Sequence, residues 1–294
     1  MKHKRKIVGL ALGGGGARGC AHIGVIKALR EAHIPIDCVA GTSIGALVGG
    51  VYASGKIKEL ESFLRRLNSA KKILSHLDIA LSNKGLLNGD KVKRLLSERF
   101  IEKLIEDTSI PFVAVAADLQ AGKEVHFKTG SLADAIRASI SIPGIFVPAQ
   151  LNGDFLADGG LLNPLPINAV RALGAEVVVA VDLNAEVGFK KATKIRRSPR
   201  SDTWWDKLKE ESRAKLREWM SEAMRPNLVD ILDSSVTIMQ KGITEANLRS
   251  YPADFLIRPR VGRIMLFDFH LARFMIDEGY LQAQKIIPAL KKAL

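Results

Sequence analysis

Glycine is concentrated near the start of the chain, where four consecutive glycines at 13–16 are followed by another at position 19. Glycine loses more backbone entropy on folding than any other residue, so such a cluster is expected where the main chain turns sharply or is closely approached. The stretch at 6–12, apolar after Lys6, leads directly into the cluster, which predicts a buried strand that ends in a tight loop. Apolar residues at helical spacing in 20–33 predict a helix after that loop.

A second unit of the same kind follows at once. Residues 34–41 predict another strand and residues 43–55 an apolar helix, with the sequence G-T-S-I-G at 41–45 joining them. Two consecutive strand–helix units predict an α/β fold whose parallel strands are joined by right-handed crossovers. Residues 56–107 are rich in charge and predict a helical cover over this sheet. Further strands are expected at 111–119, 123–130, 175–183 and 251–260, further helices at 131–143 and 268–294, and mixed strand and turn signals at 144–160.

Length and composition indicate one folded unit. The 294 residues are 47% hydrophobic, so we expect a single domain over 1–294 with a helical insertion at about 185–225. No window contains eighteen apolar residues in succession, so no transmembrane helix is expected. The basic start resembles a signal peptide, but cleavage there would remove the glycine cluster. Two cysteines, Cys20 and Cys38, indicate a reducing compartment. We therefore expect the cytoplasm, or peripheral attachment to the inner face of the membrane.

Positive charge is concentrated in two short segments. Of the formal net charge of +13, the first six residues supply +4 and residues 190–200 supply +6 without any acid, which leaves +3 for the rest. Such segments are either solvated tails or contacts to an anionic membrane surface, and nucleic acid is not expected as a partner. The six bases of the second segment are Lys190, Lys191, Lys194, Arg196, Arg197 and Arg200.

A helical pattern with all the tryptophans of the chain follows the basic segment. It covers 203–224, starts from Thr203 as N-cap and contains Trp204, Trp205 and Trp219. Tryptophan suits the boundary of a bilayer, so lipid contact is one interpretation. The charge of this stretch is nearly balanced, which equally allows packing on the domain, packing on a second subunit in a homo-oligomer, or a lid over the site.

The sequence at 41–45 matches G-x-S-x-G between a predicted strand and a predicted helix, which is the context of a nucleophile elbow. A sharp turn there projects the Ser43 side chain away from the backbone, while Gly41 and Gly45 leave room for the turn. The start of the helix adds partial positive charge beside an anion that develops at Ser43. Ser43 is therefore the candidate nucleophile, and an ordinary helix N-cap is the alternative.

A serine nucleophile needs a base, and a carboxylate is the better candidate in this chain. His126 lies on a predicted strand upstream of the candidate acids, and His270 lies far downstream beside apolar residues. Asp158 ends an apolar strand and is followed by Gly159 and Gly160, which would let its carboxylate approach a serine hydroxyl closely. Partial burial would raise its pKa and make it a better proton acceptor. An aspartate that closes a glycine-rich turn is the alternative.

The glycine cluster can serve a nucleotide phosphate or an oxyanion. Residues 14–19 formally match G-x-G-x-x-G, but a dinucleotide site needs an acid at the end of the second strand, where this chain has G-T-S. An oxyanion hole explains the glycines better, because backbone amides can face a tetrahedral intermediate there. Arg18 either positions this loop or attracts an anionic head group. The candidate donors are the amides of Gly14, Gly15, Gly16 and Ile44.

Taken in order, these motifs resemble the patatin-like phospholipase family, in its short bacterial branch. The glycine cluster, G-T-S-I-G and the D-G-G at 158–160 carry the resemblance, with R-A-S-I-S-I-P-G-I-F at 137–146 and A-A-D-L-Q-A-G-K-E at 116–124 in support. The resemblance covers most of the chain except about 185–225. It implies a three-layer α/β/α sandwich with a central, mostly parallel sheet. It also implies a Ser–Asp dyad without histidine and an oxyanion hole formed by the glycine loop.

The resemblance implies a serine acyl hydrolase that cleaves carboxylic ester bonds of lipids, such as phospholipids or lysophospholipids. Acyl transfer to a serine and then to water needs neither a metal nor an organic cofactor. Two other functions stay open from the sequence. One is a non-catalytic, membrane-associated regulatory protein that retains the fold, and the other is a dinucleotide-binding oxidoreductase.

Overall fold

The computed structural model describes residues 5–67, 72, 75–76, 78–82, 85–186 and 228–294. Its strands are β1 (Val8–Leu12), β2 (Cys38–Thr42), β3 (Ile79–Ser82), β4 (Gly85–Leu87), β5 (Phe112–Asp118), β6 (Lys123–Phe127), β7 (Ala149–Leu151), β8 (Asp154–Asp158), β9 (Val177–Val181) and β10 (Phe255–Ile257). Its α-helices are α1 (Cys20–Glu31), α2 (Ile44–Ala53), α3 (Ile57–Arg66), α4 (Asp90–Arg99), α5 (Leu132–Ser139), α6 (Ile167–Arg171), α7 (Leu228–Ser250) and α8 (Ala272–Ala293).

One sheet contains eight of the described strands, in the order β10-β9-β1-β2-β5-β8-β7, with β6 also paired to β5. Strands β10, β9, β1, β2 and β5 are parallel to one another. Strands β6 and β8 are antiparallel to β5, and β7 is antiparallel to β8. Strands β1, β2 and β9 are buried along their whole length, as expected for parallel strands that are covered on both faces. The central, mostly parallel sheet expected from the sequence is confirmed.

Helices cover both faces of this sheet. Along β1, Leu10 and Leu12 belong to a core with α1, α2 and α8, whereas Ala11 belongs to a second core with α6 and Leu248 of α7. Successive side chains of a strand point to opposite faces, so the two cores lie on opposite sides of the sheet. The three-layer α/β/α sandwich is therefore confirmed.

The prediction that 56–107 is helical was wrong in its middle. Helices α3 and α4 are present, but β3 and β4 pair antiparallel between them in a separate two-stranded sheet. Strand β4 is held by partners far along the chain, because Leu87 N donates to Ile145 O at 2.9 Å and Val147 N donates to Leu87 O at 2.9 Å. Pairing with a distant segment leaves no trace in local hydrophobic periodicity, so the sequence pattern missed this hairpin.

The C-terminal part differs from the prediction mainly by one long helix. Helix α7 contains 23 residues and was not predicted, while the expected strand at 251–260 is reduced to β10 and the closing helix is observed as α8. The helix predicted at 131–143 ends at Ser139. None of the described helices combines the length and the apolar character that crossing a bilayer requires. The predicted insertion at 185–225 lies outside the described residues from position 187 onward.

Candidate active site

Three loops meet at one edge of the sheet. Strands β9, β1 and β2 are parallel neighbours in register, with Leu12 opposite both Val181 and Gly41. The glycine loop leaves β1 at this edge, Ser43 follows β2, and residues 182–186 follow β9. The carboxyl ends of adjacent parallel strands form the usual ligand-binding edge of an open α/β sheet.

Strand β5 explains why Asp158 arrives at the same place. Strand β6 pairs with residues 114–118 of β5, so β2 and β8, which overlap that range, must both lie on the other edge of β5. On that edge Thr42 of β2 is opposite Val115, and Asp158 of β8 is opposite Ala116. The two strands run in opposite directions and their ends meet at consecutive residues of β5. Ser43 and Asp158 are therefore brought together by strand register.

Ser43 occupies a strained turn. Its backbone has φ 57° and ψ −126°, which is rare for a residue with a side chain and costs on the order of 1–3 kcal/mol. The turn packs tightly, because a Cβ on Gly45 would lie 2.1 Å from Leu12 O and one on Gly41 would lie 2.3 Å from Gly45 O. Both flanking positions therefore require glycine. This is the geometry of a nucleophile elbow, with a strained serine between a strand and a helix.

Ser139, at the end of α5, supports this turn and was not singled out from the sequence. Its hydroxyl accepts from Ser43 N at 2.8 Å and donates to Val115 O at 2.6 Å. Ser139 is fully buried, so the three groups satisfy one another without water. The only signal was its position inside the 137–146 motif, because a single serine in an apolar stretch is not distinctive.

Asp158 is a buried carboxyl with an altered acidity. It is 2% exposed, and its Oδ1 accepts from Gly160 N at 2.7 Å, while Oδ2 has no hydrogen-bond partner among the described residues. Burial raises the pKa of Asp158 to about 6, against the opposing influence of the nearby Ser43 side chain and the Gly160 amide. A carboxylate with a pKa near 6 is a better proton acceptor than one at the ordinary value of 3.8.

Some backbone amides of the glycine loop are bonded to neighbouring carbonyls, and others have no acceptor among the described residues. Gly13 N donates to Val181 O at 3.1 Å and Gly14 N donates to Pro164 O at 2.9 Å. The Gly14 amide is thus already occupied, which corrects the prediction that it faces an oxyanion. The amides of Gly15 and Gly16 have no acceptor among the described residues, and that of Ile44 lies in the first turn of α2, where helices leave N–H groups unpaired.

Positive φ angles shape this loop. Gly15 has φ 154° and Gly16 has φ 57°. A Cβ on Gly16 would lie 2.5 Å from Leu266 Cδ1 and 2.9 Å from Leu266 O, so a side chain is excluded both by conformation and by space. The loop is therefore built for bare backbone, as its composition indicated.

Arg18 positions the glycine loop. It is 3% exposed, its Nε donates to Gly15 O at 2.8 Å, and one terminal nitrogen donates to Thr237 Oγ1 at 2.9 Å and lies 3.6 Å from Asp233. Burial lowers the pKa of Arg18, while Asp233 and Asp182 act in the opposite direction. Of the two roles left open by the sequence, the structure supports positioning, because the guanidinium is committed to protein groups.

The described histidines lie outside the group formed by Ser43 and Asp158. His126 Nε2 bonds Glu124 at 2.8 Å, and His270 is 3.8 Å from Asp268. His22 is fully buried, and its Nε2 bonds Gly13 O at 2.8 Å. Burial lowers the pKa of His22 to about 4, so the ring is neutral at pH 7 and Nε2 carries the hydrogen that Gly13 O accepts. His22 is a supporting residue that sequence reasoning missed, since one histidine in an apolar helix has no distinctive spacing.

A small pocket joins these groups. Ser43, Asp158 and the loop residues Gly15 and Gly16 lie on its wall, and α7 closes the opposite side with polar and apolar residues. The described apolar residues that line it are Ile142, Ile145, Leu232, Val236 and Leu266. The polar residues from α7 are Asp233, Thr237 and Gln240. An ester placed here would meet a serine, a buried carboxylate, unpaired amides and an apolar wall.

The remaining predicted site residues divide into two groups. Gly159 and Gly160 follow Asp158, where a Cβ would meet Val115 O at 2.3 Å and Gln240 Nε2 at 2.1 Å, respectively. The membrane-contact candidates lie outside the described residues, namely Lys190, Lys191, Lys194, Arg196, Arg197, Arg200, Trp204, Trp205 and Trp219.

Sequence comparisons relate this chain to known proteins. Residues 10–171 match the family model described as patatin-like phospholipase. The chain is similar to an uncharacterized NTE family protein of Mycobacterium tuberculosis, with 47% identity over 177 residues. The matched region covers 60% of this chain and 49% of that protein.

Two further relatives carry functional names. The chain is 33% identical over 282 residues to patatin-like phospholipase domain-containing protein 6 of Homo sapiens. This match covers 93% of the chain and 20% of that protein. The chain is also 36% identical over 188 residues to lysophospholipase nte1 of Emericella nidulans. That match covers 61% of the chain and 12% of the relative. The chain thus spans about half the length, or less, of these relatives.

Proposed function

The chain belongs to the patatin-like phospholipase family, and from this premise we propose that it hydrolyses carboxylic ester bonds of lipids through Ser43 and Asp158. The observation that carries the proposal is their meeting on β5, a strained serine beside a buried carboxyl whose pKa is about 6. Perturbed acidity and backbone strain are both concentrated at functional sites in proteins.

The first half of the reaction forms an acyl-enzyme. Ionised Asp158 accepts the hydroxyl proton of Ser43 as Oγ forms a bond to the ester carbonyl carbon, and the carbonyl oxygen becomes an oxyanion. The amides of Gly15, Gly16 and Ile44 are the proposed donors to that oxyanion. The ester C–O bond then breaks, and Asp158 returns the proton to the leaving alcohol.

The second half releases the acid. Asp158 accepts a proton from water as the water oxygen attacks the acyl carbon, and the intermediate collapses with transfer of that proton to Ser43 Oγ. A base with a pKa near 6 is ionised at pH 7 and still gives up its proton readily when the alcohol leaves.

The substrate proposed is a glycerophospholipid or lysophospholipid acyl ester. The apolar wall formed by Ile142, Ile145 and Leu266 suits an acyl group beside Ser43. The family description names phospholipases, and the Emericella relative is named a lysophospholipase. Peripheral contact of the basic segment 190–200 with an anionic bilayer would bring such a substrate to the site.

Hydrolysis of p-nitrophenyl esters and of mixed phospholipids by Ser43→Ala and Asp158→Asn tests the proposal. Both variants should lose at least ~10³-fold in kcat, as when a member of a nucleophile–base pair is removed. Ser97→Ala on exposed α4 and Asp154→Asn on the same strand as Asp158 are matched controls, and both should keep wild-type turnover. Full activity of a folded Ser43→Ala protein would reject the proposal, and an inert wild type would favour the non-catalytic alternative.

A further inference from the structure

Three buried side chains hold three successive carbonyls of the glycine loop. His22 Nε2 holds Gly13 O at 2.8 Å, Asn184 Nδ2 holds Gly14 O at 3.3 Å, and Arg18 Nε holds Gly15 O at 2.8 Å. All three side chains are almost completely buried. Gly13, Gly14 and Gly15 are themselves buried, so their carbonyls need partners within the protein, and each is held by a different side chain.

Peptide geometry converts these contacts into directions for the amides. In a trans peptide the C=O of one residue and the N–H of the next point in opposite directions, and the described residues contain no cis peptide bond. Holding Gly14 O therefore directs the Gly15 N–H away from Asn184, and holding Gly15 O directs the Gly16 N–H away from Arg18. These are the two loop amides without an acceptor among the described residues, and both glycines line the pocket with Ser43.

The orientation of Asn184 is itself dictated. Its Nδ2 donates to Gly14 O and, at 2.9 Å, to Gln240 Oε1, while its Oδ1 is buried without a partner among the described residues. The opposite orientation would place an oxygen against the carbonyl of Gly14. The Asn184 amide therefore donates to the loop while its own oxygen stays unpaired among the described residues. With its Oε1 bonded to Asn184, Gln240 has its Nε2 on the side of Gly160.

Helix α7 reaches both of the side chains that direct the free amides. Gln240 accepts from Asn184, and Thr237 accepts from Arg18, with Asp233 3.6 Å from the same guanidinium. These three helix positions are four and three residues apart, so they lie on one face of α7. The face that closes the pocket is therefore also the face that fixes the loop.

We propose that Asn184 is a positioning residue of the oxyanion hole, and that Gln240 of α7 sets its orientation. Asn184 aligns the Gly15 amide through the Gly14 carbonyl without touching the substrate. The inference rests on the proposed esterase function, and it assigns a role to two residues that no catalytic motif of the sequence contains. It treats α7 as part of the catalytic geometry as well as a wall of the pocket.

Asn184→Leu removes the donor at similar volume, and Gln240→Met removes the acceptor that orients it. Each should lower kcat per active site by about 10- to 100-fold, less than the ~10²–10³ lost when an oxyanion donor is removed outright. KM should stay within about threefold of wild type, and a chain-matched boronic acid should bind more weakly by the same factor as kcat/KM falls. The kcat of the double variant should be little lower than that of the slower single variant, since both substitutions break the same chain of hydrogen bonds from Gln240 through Asn184 to Gly14 O.

Asn247→Leu is the matched control, because its amide holds a carbonyl outside the glycine loop, that of Leu162 at 3.4 Å. It should retain wild-type kcat. Active sites are counted by covalent titration of Ser43, so that a smaller folded fraction is not mistaken for slower chemistry. A KM increase with unchanged kcat, or additive losses in the double variant, would overturn the positioning role.

A readout without turnover separates this inference from the proposed function. In protein labelled with ¹⁵N-glycine, Asn184→Leu should shift the amide resonance of Gly15 and leave that of Gly122, in an open turn, in place. An unchanged Gly15 resonance rejects the positioning role whatever the esterase assay shows. A shifted resonance in a protein that hydrolyses no ester supports the positioning role and rejects the proposed function alone.

Discussion

The acidity of Asp158 is the residue-scale property on which the proposed chemistry depends. Its side chain is 2% exposed, and burial is the largest influence on its pKa and raises it to about 6. The same burial makes the ionised form costly in the folded protein. The proposed role of Asp158 as a base and a loss of stability would therefore have one physical origin, and each can be measured.

The rate should depend on pH through this carboxyl. We expect kcat/KM for a neutral ester to rise about tenfold per pH unit below pH 6 and to level off above it, because only ionised Asp158 can accept the serine proton. Asp154→Asn should keep the same midpoint. A rate that is constant between pH 4.5 and pH 8 would contradict the assignment of Asp158 as the base.

Stability should depend on pH in the opposite sense. The folded-state pKa of about 6 lies above the ordinary value of 3.8, so the folded protein binds the proton more tightly and loses stability as pH rises between these values. Asp158→Asn removes this loss and should raise the free energy of unfolding by up to about 3 kcal/mol above pH 6. The gain should vanish below about pH 4. Urea unfolding at pH 8 and pH 4 measures it, and a variant less stable than wild type at pH 8 would contradict it.

Helix α7 is the element whose importance the sequence conceals most. Its polar residues at 233, 237 and 240 do not match a known motif, and Ile231, Ile238 and Met239 are exposed, so its pattern is not cleanly amphipathic. In the structure the polar residues face the glycine loop. A helix with polar groups on its inner side is difficult to predict, because those groups are satisfied by partners that are distant in sequence.

Thr237→Val tests the contact between α7 and Arg18. The near-isosteric change removes the acceptor 2.9 Å from the buried guanidinium, so the free energy of unfolding should fall by about 1–3 kcal/mol and kcat should fall with it. Ser235→Ala is the control, because its hydroxyl is exposed on the same helix and bonds only Ile231 O in the described residues. Equal effects of the two substitutions on kcat would contradict a role for α7 in the site.

At the scale of the whole molecule, the sequence pattern predicted those features that depend on residues close together in the chain. The two strand–loop–helix units, Ser43 in its elbow and the apolar strand before Asp158 followed from periodicity and glycine placement. The register that brings β2 and β8 end to end on β5 could not be predicted, since residues of β5 pair with residues 73 positions earlier in β2 and 38 to 42 positions later in β8. The same limit applies to Ser139, His22 and Asn184, whose roles arise only from contacts made by folding.

The concentration of positive charge at 190–200 allows a test of membrane contact. Neutralising the six bases of 190–200 should strongly reduce flotation with phosphatidylglycerol vesicles, because each base near an anionic surface contributes about 1 kcal/mol. A control with six neutralised bases spread over α3, α4 and α8 has the same net charge and should float like wild type. Equal flotation of the two variants would show that net charge alone matters.

The measurement that tests the central claim most directly is covalent labelling with a fluorophosphonate, located by peptide mass spectrometry. We expect one adduct on Ser43 in the wild type, none in Ser43→Ala, and much slower labelling of Asp158→Asn, which lacks the base. An adduct on another residue, or a folded wild type that resists the reagent while the pocket is open to it, would contradict Ser43 as the nucleophile.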